Sequence, residues 1–140
     1  MCLYVDHAEV IEKPITVYVI RKIYDGNNYI YSPYYYSVWE LGETKYTYQC
    51  NSKNTVDDFE KGFEINGDYY HSLENLEDAK HLAKALNLKR IFHVDDCEYV
   101  VFEAEIKPSL IVYGDFEFNY ANIFPSIASS NLTLIRKIGK

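Results

Sequence analysis

Arg21, Ser32, Glu103 and Glu105 are the residues whose types could together carry out a reaction. An arginine on an early strand can hold phosphate through its planar fork of donors. A serine on the next strand can order a ribose, and a late glutamate can stabilise an oxocarbenium-like centre as nicotinamide leaves. Such a set would clamp a dinucleotide. The residues have no fixed spacing, so each also reads more plainly as a solvated sheet residue. His71 is a further candidate, because His71-Ser72 precedes the one clear helical segment. A histidine beside a helix N-terminus tends toward its neutral form and can act as base or donor, and the terminus itself can receive an anion. The plainer reading is a capping serine beside a surface histidine.

The second cluster is aromatic: Tyr29, Tyr31, Tyr34, Tyr35, Tyr36 and Trp39. Tyrosine fills 15 of the 140 positions, and its density is highest between Tyr24 and Tyr36. Rigid amphipathic rings give contact area at little entropic cost, which suits recognition of a protein. Stacking on a base is another use, worth roughly 1–3 kcal/mol per base. The same rings could instead complete a thin core. If Tyr34, Tyr35 and Tyr36 are extended, alternation forces at least one of them outward.

Other chemistries lack their residues. Cys2, Cys50 and Cys97 are odd in number, widely spaced and never in a CxxC, which fits reduced cysteines of a cytoplasmic protein. With His7, His71, His81 and His93 they form no closed ligand set, so neither metal nor cofactor is expected. There is no GxGxxG, no Walker-type loop, no HExxH and no nucleophile elbow. The net charge of −7 argues against direct binding to a nucleic-acid backbone. Apolar runs are only a few residues long and the N-terminus lacks a basic region, so no membrane association or targeting is expected.

The elements that must position these residues are mostly strands. Ile15 to Arg21 is β-branched and aromatic throughout, a strand covered on both faces. Asp25 to Asn28 is a turn leading to a return strand at Tyr29 to Ser32. Thr44 to Cys50 alternates as a half-exposed strand, and a short extended piece is expected around Phe63 to Ile65, before an Asn66-Gly67 turn. One helix runs from about residue 75 to 88, capped by Ser72 or Asn75, with Leu76, Ala79, Leu82, Ala83 and Leu86 as its buried stripe. Ile91 to Val94 is a short strand, and Tyr99 to Ile106 is the clearest, with Val100, Phe102, Ala104 and Ile106 on one face and Glu103 and Glu105 on the other. A strand from Leu110 is stopped at Gly114, Tyr120 to Phe124 makes one helical turn, and Pro125 to Asn131 is a loop before a last strand, Leu132 to Ile138. The expected fold is a single α+β domain over residues 1–140, with about seven strands in a mostly antiparallel twisted sheet and the helix on one face.

Some of these elements resemble known proteins. A Cys near the start, the strand Ile15-Thr16-Val17-Tyr18, the segment Ser32-Pro33-Tyr34, and Gly42 ahead of Tyr46 are similar to small uncharacterised bacteriophage and prophage proteins. Those proteins continue with a Lys-Gly-Phe-His-Ser element, which is split here: Lys61-Gly62-Phe63 stands apart from His71-Ser72. Ile106-Lys107-Pro108, Gly114 and Tyr120-Ala121 also look similar. The layout of Arg21, Ser32 and a late glutamate distantly resembles that of mono-ADP-ribosyltransferases. The first resemblance implies a viral protein engaging a host protein in the host cytoplasm. The second implies an enzyme acting on a nicotinamide nucleotide.

The leading expectation is therefore a small acidic binding protein, engaging a host protein or a nucleotide and able to oligomerise. The ADP-ribosyltransferase-like enzyme and a minor virion structural protein are the alternatives.

Overall fold

The computed structural model describes residues 3–24, 29–32, 37–47, 55–65, 69–89, 97–119 and 122–139. The strands among them are β1 (Leu3–Val10), β2 (Ile15–Tyr24), β3 (Ile30–Tyr31), β4 (Val38–Trp39), β5 (Thr44–Tyr46), β6 (Glu64–Ile65), β7 (Tyr70–Leu73), β8 (Cys97–Ile106), β9 (Leu110–Asn119), β10 (Asn122–Ser129) and β11 (Asn131–Gly139). One α-helix, α1 (Leu76–Lys89), and a short 3-10 turn at Val56–Asp58 interrupt them. The α+β expectation holds, but the sheet has eleven strands rather than about seven. Their order is β5-β11-β8-β2-β7-β10-β9-β1-β6, with β3 and β4 attached at β2, and every pairing is antiparallel.

The two faces of the sheet bury different sets of side chains. Val17 and Val19 of β2 share one face with Val100, Phe102 and Ala104 of β8, Ile111 of β9 and Ile127 of β10, and Trp39 closes over them. Ile20, Leu73, Val101, Phe116 and Phe124 lie on the other face, against Ala79, Leu82 and Ala83 of α1. Those three helix residues belong to the apolar stripe expected from the sequence. A third cluster, around Leu3, Val5, Val112 and Ala128, extends the helix-side face toward β1.

Several local expectations change. β1 is a full strand that simple alternation conceals: Leu3 and Val5 are buried, a register shift falls between Val5 and His7, and Ala8 takes the next buried position. Gly114 does not end its strand; β9 continues to Asn119. A Cβ at Gly114 would overlap the Tyr4 carbonyl oxygen and the Leu3 side chain, so the glycine permits β1 to lie close. Residues 122–129 form β10 rather than a helical turn and a loop. Pro125 lies just beyond the β7 ladder, which begins at Ser126, so its missing donor costs little. Ser72 does not cap α1. It is buried in β7 and donates to the Ile127 carbonyl, while the Asn75 Oδ1 accepts from the Asp78 amide at 3.0 Å. The expected strand at Ile91 to Val94 and the turns at Asp25 to Asn28 and Asn66-Gly67 lie outside the described residues. No helix among the described residues is long and apolar enough to cross a membrane.

Candidate functional site

The strands β2 and β7 meet at a single residue pair, Tyr18 with Leu73. A regular ladder would go on to place Ser72 beside Val19, His71 beside Ile20 and Tyr70 beside Arg21. None of those pairs forms. The seam opens there into a cleft of about 160 Å³, reaching from the Trp39 side of the sheet to the α1 side.

Arg21 forms the floor of the cleft on the Trp39 side. It stands opposite Val100 in the β2–β8 ladder and therefore points to the same face as Val17, Val19 and Phe102. The β-branched strand that carries it is buried on both faces, so the side chain is only 6 % exposed. Its Nη1 donates to the Ile20 carbonyl at 2.8 Å, and its guanidinium carbon lies 4.6 Å from the centre of the Trp39 ring. The Arg21 Nε is buried without an acceptor. Among the described residues no carboxylate lines the cleft, and none forms an ion pair with Arg21. Burial pulls the guanidinium well below its ordinary value, to about 10, so it remains charged at neutral pH. The neighbouring Tyr70 hydroxyl is pushed the other way by its own burial, which outweighs the pull of Arg21, and it stays protonated.

Trp39 completes this end. It is 3 % exposed and sets its ring edge-on to Tyr70, 5.4 Å between centroids. The indole Nε1 is also buried without an acceptor. Lys45 approaches the same ring at 4.8 Å and donates to the Val38 carbonyl, but it does not line the cleft. The α1 end is formed mainly by Leu73, Leu82, Leu86 and Phe116, with Tyr18 and His71 also lining that side. A buried cation and two donors without acceptors thus stand together at the Trp39 end of the cleft. No family model, curated protein or solved structure matches this chain.

Of the residues expected from the sequence, Arg21, Ser32, His71 and Trp39 line this one cleft. Glu103 and Glu105 do not. They stand opposite Tyr18 and Thr16 in the β2–β8 ladder, one residue out of phase with Arg21, and so point to the opposite face. Glu103 is occupied there by Arg136, whose Nε and Nη2 donate to its two oxygens at 3.0 and 3.4 Å. His71 reaches the cleft from within β7 rather than from a helix N-terminus.

The aromatic cluster divides. Trp39 is buried, Tyr31 is half-buried between the rings of Tyr24 and Tyr29, and Tyr29 is 57 % exposed. Tyr34, Tyr35 and Tyr36 lie outside the described residues. Tyr70 and Ser72, which stand on the Arg21 side of the seam, are contributions the sequence reading of the site missed. Tyr70-His71-Ser72-Leu73 has no polar/apolar alternation, so its pattern gave no signal for them. Among the described residues, no three His, Cys, Asp or Glu side chains are grouped so as to hold a metal.

Proposed function

We propose that this protein binds a small anion in the seam between β2 and β7, as a binding protein rather than an enzyme. The observation that carries the reading is Arg21: a residue 6 % exposed, with a buried Nε–H lacking an acceptor and, among the described residues, no carboxylate lining its cleft or paired with it. An uncompensated buried charge is costly, and a buried donor without a partner adds roughly 1–3 kcal/mol. An anionic ligand removes both costs at once. Binding is favoured over catalysis because the carboxylates suggested for chemistry face the other side of the sheet.

Trp39 is the only tryptophan in the chain, so its emission reports on the site directly. Sodium benzoate, inorganic phosphate and adenosine monophosphate are titrated in turn, and at least one should change that emission saturably. Arg21→Met should abolish the response. A response unaltered in Arg21→Met, or none to any of the three probes, overturns the reading.

A protein partner is the second reading. Tyr29 and Val38 are exposed near the junction of β3 and β4, with Leu41 exposed just after it. The resemblance to phage and prophage proteins implies a host protein as that partner. Loss of host-lysate capture in a Tyr29→Ala/Leu41→Ala double variant is expected, and undiminished capture removes this surface from consideration.

A further inference from the structure

Resting on the anion-binding reading of Arg21, we infer that the ligand is a small monocarboxylate with one apolar ring or a short branched chain. Its carboxylate would sit at Arg21 and Trp39, and its apolar part would pass through the seam beneath α1. Three features of the cleft select this class.

Charge comes first. Arg21 is the only Arg or Lys lining the cleft among the described residues, and the chain carries a net charge of −7. A monoanion is neutralised by one guanidinium. A phosphate dianion would keep a second charge in a largely apolar enclosure, where it is strongly disfavoured.

The donors come next. Nη1 of Arg21 gives one N–H to the Ile20 carbonyl, while the Nε–H is buried without an acceptor and needs one most. The Trp39 Nε1–H is the second, on a ring stacked against the same guanidinium. A carboxylate offers two oxygens and can accept from both. A neutral amide of the same shape offers one oxygen and no charge.

Size and polarity of the far end come last. A volume of about 160 Å³ is close to that of an engineered apolar cavity in another protein, roughly 150 Å³, which holds a benzene molecule. It falls below the roughly 300–1,000 Å³ usual for larger ligands such as a nucleotide. Leu73, Leu82, Leu86 and Phe116 make most of the end under α1, where Tyr18 and His71 also line the cleft, so the far end suits a mainly apolar group.

The test compares benzoate, acetate, benzamide, inorganic phosphate and adenosine monophosphate by calorimetry and Trp39 emission on the full chain. Benzoate should bind at least about tenfold more tightly than acetate, and benzamide should not bind measurably. Leu86→Phe, which narrows the apolar end at a half-buried position, should weaken benzoate about tenfold while leaving acetate unchanged. Binding of phosphate or adenosine monophosphate in preference to benzoate overturns the monocarboxylate inference and leaves the anion site standing. Equal affinity for benzoate and acetate also overturns it, because the apolar end then plays no part. Failure of all the anions overturns the inference and the anion site together. A Leu86→Phe protein whose circular dichroism departs from the parent is replaced by Leu86→Met, for which benzoate should change less than about threefold.

Discussion

Arg21 stacks on Trp39 with its guanidinium carbon 4.6 Å from the ring centre, and each residue buries an N–H that has no acceptor. The stack recovers part of the cost of burying the charge. A desolvated cation–π contact is worth about 2 kcal/mol. That is less than the combined cost of an uncompensated charge and two idle donors. The ligand-free protein thus carries at this seam a local cost that an anion would remove.

Arg21→Met follows from that imbalance. Methionine can follow the same path through the core and needs neither an acceptor nor a counter-charge. The ligand-free variant should be more stable than the parent by about 1–3 kcal/mol, measured by urea unfolding, although it loses anion binding. A loss of stability of similar size would mean that the guanidinium already has its partner within the chain.

Trp39→Phe isolates the second donor. Phenylalanine keeps a ring against Arg21 and Tyr70 but lacks the indole N–H. Benzoate affinity, read by calorimetry, should fall about tenfold, while the urea midpoint moves little because a lost ring and a lost unsatisfied donor oppose each other. Unchanged affinity would show that Nε1 does not meet the ligand.

The pH dependence of anion binding has a defined sign. Burial lowers Arg21 from its ordinary value to about 10, and an anion favours its charged form. Affinity for benzoate should be level from about pH 7.5 to about pH 9.5 and fall as pH rises through the folded value. Stability moves the opposite way for this group: above about pH 10, up to the ordinary arginine value, the folded chain binds fewer protons, so folding gains as pH rises. Tyr70, raised by burial, works against that gain, so binding rather than unfolding is the cleaner measurement. A level affinity through about pH 11 would rule out titration of Arg21.

These relationships explain what was and was not legible in the residues. The stripe of α1 and the inward set Val100, Phe102, Ala104 and Ile106 follow from period, because burial is what periodicity records. Arg21 and Ser32 were recognisable as a pair by type alone. The phase of β8 against β2 was not, and one residue of register separates a glutamate facing Arg21 from one facing away. β10 was concealed because Pro125 and its serines look like a loop, although each buried serine oxygen is satisfied locally, Ser126 by the Phe124 carbonyl and Ser129 by the Asn131 carbonyl.

Gly114→Ala tests the close approach of β1 to β9. The added methyl would meet the Tyr4 carbonyl oxygen, which is backbone and cannot rotate aside, together with the packed Leu3 side chain. Stability should drop by about 2–3 kcal/mol in thermal or urea unfolding. Hydrogen exchange should quicken in β1 and β6 before the rest of the sheet, since β6 pairs only with β1. Unaltered stability would mean that β1 can shift outward at no cost.

Asn87 joins α1 to the sheet in a way that no periodicity could reveal. Its Nδ2 donates to the Tyr99 carbonyl and its Oδ1 accepts from the Tyr99 amide, each at 2.9 Å. The side-chain amide thus takes the place of a neighbouring strand at Tyr99, beyond the last β8–β11 pair, Val101 with Gly139. Asn87→Ala removes both hydrogen bonds to the Tyr99 backbone and should cost about 2 kcal/mol. Asn87→Asp should cost more, because a carboxylate oxygen then faces the Tyr99 carbonyl in place of a donor. Leu82 and Leu86 ride on the same helix and form the apolar end of the cleft. Either substitution should therefore weaken benzoate binding while leaving acetate unchanged, and this pattern separates loosening of α1 from damage at Arg21. Equal stability of the two variants would show that water replaces the amide without loss.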